Sequence, residues 1–310
     1  MELPDNLLPL AETLVGRPEL TPVEVAQRAG MDLVQVRRLW RALGFPPVGD
    51  DVRFFTRDDV VVLGVVRELL ERRGIELDAL IQLTRVTGQS LARIADAQVT
   101  TTGAELAPGD IGSLQALAPE LERLISYVWR RHLLAALLRH AANPSAAEHS
   151  SAVGFADLVG FTSLSQTLDS HELAAMVDRF EAIAYEHIPE RGGRIIKMIG
   201  DEVMFAVDEA VAAAEIGLAL VEAHARDAEL PDVRVGLASG PTLAWEGDLY
   251  GPTVNLASRL VNLARPRSVI VSDELGLALQ DVPGFALRHL RPVQLQGIGR
   301  VRSWVLRRAA

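Results

Sequence analysis

Arg194-Ile195-Ile196-Lys197-Met198-Ile199-Gly200-Asp201-Glu202-Val203-Met204-Phe205-Ala206-Val207 is the stretch on which the fold turns. Residues 194–198 and 202–207 are apolar runs on either side of Gly200-Asp201. A glycine–acid pair between two such runs predicts a β-hairpin. Around it strands and helices alternate. Residues 151–159 read as a strand, and Asp169-Ser170-His171-Glu172 as the capped start of a helix to about residue 188. A helix over about 209–225, a strand over 233–239 and a helix over about 253–264 follow. A short strand at 269–271 and further strands within 285–306 complete the pattern. Alternation alone suits a doubly wound sheet, but the hairpin intrudes. The expected class is α+β, with helices on one face of a mixed sheet.

Upstream the pattern is helical. Thr21-Pro22-Val23-Glu24 places a cap, a proline and a glutamate where a helix starts, and Gly30 stops it. Residues 31–43 set Leu33, Val36, Leu39, Trp40 and Leu43 on one face. Phe54-Phe55-Thr56-Arg57-Asp58-Asp59 opens a third helix toward residue 71, and helices are expected over 77–97 and 111–142, with a loop at 99–110. The small, polar stretch 143–151 reads as a linker. The chain has 310 residues, more than one core of up to ~250 residues usually holds. Two domains are therefore expected: an all-α domain at 1–142 and a second domain at 152–310.

Composition excludes several chemistries. With no cysteine, there is no disulfide, thiolate metal site or cysteine nucleophile. The net charge of −10 speaks against nonspecific nucleic-acid binding by the whole molecule. The apolar run at 60–66 is stopped by Arg67 and Glu68, short of the ~20 residues a membrane span needs. Met1-Glu2-Leu3-Pro4-Asp5 lacks the basic stretch of a secretory signal, so the expected location is cytoplasmic. Of 31 basic residues a single one, Lys197, is lysine. Arginine is a broad planar fork and lysine a compact donor, and at this position the chain's strong preference for arginine gave way.

Three motifs concentrate unusual residues. In Phe155-Ala156-Asp157-Leu158-Val159-Gly160-Phe161-Thr162 an aspartate sits inside an apolar strand, which is costly unless its charge is paired or metal-bound. Gly160 permits close backbone approach, and the following N–H groups, at Phe161 and Thr162, can face a phosphate. Lys197-Met198-Ile199-Gly200-Asp201-Glu202 sets a carboxylate at a hairpin tip behind a lysine. In Asp248-Leu249-Tyr250-Gly251-Pro252-Thr253-Val254-Asn255-Leu256-Ala257-Ser258-Arg259, an amide and a cation four residues apart share a helix face. Taken singly, these read as a helix cap, a turn aspartate and a solvated helix face.

Together, in order and spacing, the three motifs resemble the nucleotide cyclase domain of class III over about residues 151–306. The resemblance implies a ferredoxin-like catalytic domain preceded by a helical regulatory domain, as in actinobacterial adenylyl cyclases. It implies two magnesium or manganese ions per active site on Asp157 and Asp201. Lys197 and Asp248 would select adenine, and Asn255 and Arg259 would stabilise the transition state. The implied reaction is conversion of ATP to cyclic AMP and pyrophosphate. The implied assembly is a homodimer whose two sites each draw the metal aspartates from one subunit and the other residues from its partner. The residue types agree: lysine donates to adenine N1 and aspartate accepts from the 6-amino group, the reverse of what guanine presents. A guanylyl cyclase would carry Glu-like and Cys-like residues at 197 and 248. One position departs: Leu295-Gln296-Gly297 stands where the family often has a triphosphate-binding lysine, and Arg300 is the candidate substitute.

Residues 21–63 resemble a MerR-like helix-turn-helix. Yet residues 1–60 hold 7 arginines against 10 acids, which gives no basic footprint for nucleic acid. A helical module reused for regulation is the expectation. Two inputs are expected for it. One is pH, through His132, His140 and His149. The other is a small apolar ligand such as a fatty acid, among the leucines of 114–124 and 133–138. The competing reading is a transcription regulator with a nucleotide-sensing, non-catalytic second domain. It would be marked by loss of a metal aspartate, and neither is lost.

Overall fold

The computed structural model describes residues 8–105, 111–142 and 149–309. The chain divides into two compact units, Met1–Ala142 and Asn143–Ala310. Of the expected linker, residues 143–148 lie outside the described residues and the last three belong to the first strand.

The first unit contains α1 (Leu8–Val15), α2 (Pro22–Ala29), α3 (Leu33–Ala42), α4 (Arg57–Arg73), α5 (Leu77–Glu105) and α6 (Ile111–Ala142). The capping box of α2 forms as the sequence suggests: Thr21 and Glu24 satisfy each other's backbone N–H groups, and Gly30 closes the helix in the left-handed region. Asp32 caps α3 and Thr56 caps α4. Leu20 pairs with Phe55 in an isolated bridge, and Leu20, Val25, Ala26, Val36 and Phe55 form a small core. The loop expected at 99–110 is helical as far as Glu105. Thr84 and Thr87 bond back to the carbonyls of Leu80 and Leu83 at 2.8 Å, and Thr100 to that of Asp96, which accommodates these residues within the helix. Among the described residues no helix is long and apolar enough to cross a membrane.

In the second unit β1 (His149–Leu158), α7 (Phe161–Leu164), α8 (Ser170–Glu190), β2 (Arg194–Ile199), β3 (Glu202–Val207), α9 (Ala210–Arg226) and β4 (Val233–Trp245) come first. Then follow β5 (Asp248–Tyr250), α10 (Pro252–Leu263), β6 (Val269–Ser272), α11 (Asp273–Leu279), β7 (Phe285–His289), β8 (Val293–Leu295), β9 (Gly299–Val301) and β10 (Ser303–Arg308). The main sheet runs β2-β3-β1-β4-β6-β10-β7, antiparallel except at β4–β6, with β5 paired to β4. The order β2-β3-β1-β4, with α8 and α9 as crossovers, is the ferredoxin-like arrangement. β8 and β9 form a separate hairpin.

Alternation along β1 builds two cores. Ala152, Ala156 and Leu158 pack with Phe180, Ala184 and Ile188 of α8 and with α9. Val153 and Phe155 pack on the opposite face with Ala257, Leu260 and Val261 of α10. Helices therefore cover both faces, not one as expected. What admits α10 is Gly236. A Cβ there would stand 2.6 Å from the carbonyl oxygen of Ala257 and inside contact distance of the Val261 amide, so only glycine lets the helix lie this close.

Candidate active site

The register lines up the chemistry. Ile199, Glu202, Asp157 and Arg234 are successive partners across β2, β3, β1 and β4. Directly paired residues share a sheet face, so Asp157, Glu202 and Arg234 lie side by side. Asp201 occupies the β2–β3 turn. Gly200 takes φ 64° there and Asp201 does not take a positive φ, which fits the type II′ turn that a leading glycine allows. The carbonyl of Asp201 accepts the N–H of Leu158 at 3.1 Å, tying the turn to the end of β1. The two aspartate side chains consequently meet. Burial, then the charge and hydrogen bond of Asp157, push the Asp201 carboxyl above its ordinary range. Glu202 is pushed up to about 7 by burial and by both aspartates. The compensating cation is Arg234, whose Nε donates to Asp157 at 2.6 Å.

Three carboxyl groups around one guanidinium leave a surplus of negative charge and hard oxygen donors, which fits a divalent cation of the magnesium or manganese type. Among the described residues no cluster of three His, Cys, Asp or Glu is set to hold a metal. The aspartate pair alone would supply only some of the oxygen donors such a cation takes.

Lys197 reaches the same face by a bulge. Ile195 pairs with Phe205, but Lys197 pairs with Met204, leaving Ile196 as the extra residue. Strict alternation would put Lys197 on the α8 side with Ile195. The bulge turns it to the α10 side, in line with Met204 and Phe155. There its ammonium meets the carboxylate of Asp248 at the start of β5. The other Asp248 oxygen accepts the N–H of Leu249 at 2.8 Å, which fixes the carboxylate plane.

Asn255 and Arg259 stand on the exposed side of α10, opposite the buried Thr253, Ala257 and Leu260. Phe161 and Thr162 begin α7 behind Gly160, and the N–H groups of a first helical turn have no intrahelical acceptor. Gln296 lies in the exposed turn between β8 and β9, and Arg300 pairs across that hairpin with Gln294. The structure brings together Asp157 with Asp201 and Lys197 with Asp248. Among the described residues, none of these pairs bonds to Asn255 or Arg259. Sequence reasoning missed Arg234 and Glu202, whose significance comes from register with Asp157. A charged residue at an alternating strand position, here Arg234 beside Val233 and Val235, is the signal that could have found the first.

Residues 145–308 match the adenylate and guanylate cyclase catalytic domain, and residues 3–143 the adenylate cyclase regulatory domain. An adenylate cyclase of Streptomyces coelicolor is 34% identical over 93% of this chain and 86% of its own. The chain belongs to the class III adenylyl cyclases. Another relative, an adenylate cyclase of Glutamicibacter nicotianae, is 34% identical across 97% of this cyclase and 82% of its own length. A pH-sensitive adenylate cyclase of Mycobacterium tuberculosis is 31% identical across 93% of this cyclase and 78% of its own. In this cyclase the six motif residues singled out from the sequence, Asp157, Lys197, Asp201, Asp248, Asn255 and Arg259, lie within the catalytic-domain match.

Proposed function

We propose that the enzyme converts ATP to 3′,5′-cyclic AMP and pyrophosphate at sites shared across a homodimer. The observation that carries this reading is the contact between Lys197 and Asp248, 51 positions apart, which pairs a donor with an acceptor as the adenine edge requires. Asp157 and Asp201 would hold two magnesium or manganese ions, which when bound acidify the attacking hydroxyl and stabilise the leaving phosphates. Asn255 orients the ribose so that its 3′-oxygen attacks the α-phosphorus in line. Arg259 neutralises charge growing on the phosphate in flight. The backbone of Phe161 and Thr162 offers donors to the triphosphate, and Arg300 supplies the charge that Gln296 lacks. Arg234, released from Asp157, adds a second cation on the metal side. Exposure of Asn255 and Arg259 away from their own core supports a site completed by a second subunit.

The N-terminal domain sets the activity of the catalytic pair. The description of the mycobacterial relative as pH-sensitive supports pH as one input, and His132 and His140 are exposed on α6 to receive it. The side chain of His149 lies outside the described residues.

Complementation tests the shared site. Asp157→Ala and Asn255→Ala proteins, each inactive alone, should on mixing regain about a quarter of wild-type turnover, since half the dimers then carry one intact site of two. Heterodimers that form but make no cyclic AMP from ATP would overturn the shared site. Faster turnover of GTP by the wild type would overturn the base assignment.

A further inference from the structure

The helix-turn-helix resemblance in the first unit is not absorbed by the catalytic reading. Four of its six arginines are committed within the unit: Arg37 to Asp50, Arg38 to Asp78, Arg53 to Glu24 and Arg57 to Glu19. A phosphate backbone would find few free cations here. What the module does hold is a cavity of about 510 Å³ between α3 and the segment that follows it, within the size range of small-molecule sites. Val36 and Phe55, 2% and 3% exposed, lie at its base. Trp40 lines it in a fixed pose. The indole N–H donates to the Pro46 carbonyl at 2.8 Å, and the ring stacks on Phe45 at 4.4 Å and meets the edge of Phe55 at 4.9 Å.

The charge at the rim is asymmetric. Arg37 and Asp50 cancel each other. Arg41 donates from Nε to the Arg37 carbonyl at 3.2 Å and, among the described residues, pairs with no carboxylate. A rigid aromatic wall with one unspent guanidinium at its edge matches an amphiphilic monoanion. The leucines of 133–138 offer no such enclosure, because Leu133, Leu134, Leu137 and Leu138 are all exposed.

We propose that this cavity is the ligand site of the regulatory domain, and that it takes a small anion with an aromatic or bulky apolar body on Trp40 and Phe55 and a single acidic group on Arg41. The inference goes beyond the proposed reaction, and its readout is binding, independent of turnover. The full chain is titrated calorimetrically with 1-naphthoate and with its neutral counterpart 1-naphthalenemethanol. Saturable binding of naphthoate is expected. Arg41→Gln should weaken it about tenfold, the loss of one charge-assisted contact, and leave the alcohol unaffected. Val48→Trp, which fills the cavity from the half-buried loop, should remove both. Absence of saturable naphthoate binding, or binding that survives both substitutions, overturns the proposal. So does binding of a short DNA duplex that naphthoate displaces, because the groove would then be a nucleic-acid surface.

Discussion

His224 is 1% exposed in α9, and its Nδ1–H donates to the Leu220 carbonyl at 2.8 Å while Nε2 is buried without a partner. Burial holds its pKa below the ordinary histidine value, against the pull of Asp227 and Asp232. A depressed histidine is neutral in the folded protein while the unfolded chain still takes up a proton. Stability from this group is therefore complete above about pH 6.5 and lost as pH falls below it. His224→Leu should flatten the acid side of a plot of unfolding midpoint against pH. An acid limb as steep as that of the wild type would refute the assignment. The candidate site was legible at this scale where a side chain stood against its surroundings. Asp157 in an apolar strand, a lone lysine among arginines, and an amide and a cation on one helix turn are visible in one dimension. Arg234 and Glu202 were not, because their meaning lies in which strands are neighbours.

Among the elements, α10 depends most on a single position. Gly236→Ala would push the helix off the sheet at Val261 and Ala257, at a cost of about 1–3 kcal/mol for overpacking. Because α10 carries Asn255 and Arg259, turnover should fall by about a hundredfold, as small misplacements of catalytic groups do. A thermal melt and a cyclic AMP assay read both effects, and unchanged values in each would mean that α10 is not seated through this glycine. Capped helices were the legible elements: Thr21, Asp169 and Gly30 announce their ends chemically. The short pieces were not. β5 is three residues whose strand character comes from pairing with the end of β4, and α11 is a helix of seven residues behind a Ser272 cap, too short for a helical period to stand out. The bulge at Ile196 breaks the period by which strands are recognised, and no local residue marks it.

For the whole molecule, the feature with most leverage is the hairpin of β4 and β5. β4 runs beyond β1, and Leu243, Trp245 and Tyr250 on this arm remain exposed, Trp245 at 47%. Apolar side chains grouped at an extended tip suit a subunit contact. Trp245→Glu should shift the protein to a monomer in sedimentation and reduce cyclic AMP formation at least about tenfold, with the melting temperature of the catalytic domain little changed. A fully active monomer would remove the shared site from the proposal. The two-domain division was readable from the change of period near residue 150, whereas the second helical layer on the sheet was not, since glycine at 236 carries no directional signal in one dimension.

Lys197, at 38% side-chain exposure against Asp248, is the one side-chain amine of the chain. Acylating reagents therefore have a single internal target, and it lies where the base is proposed to sit. Mass spectrometry of the labelled protein would track occupancy of that pocket in the native enzyme without any engineered tag: ATP should slow the modification, and GTP should leave its rate unchanged.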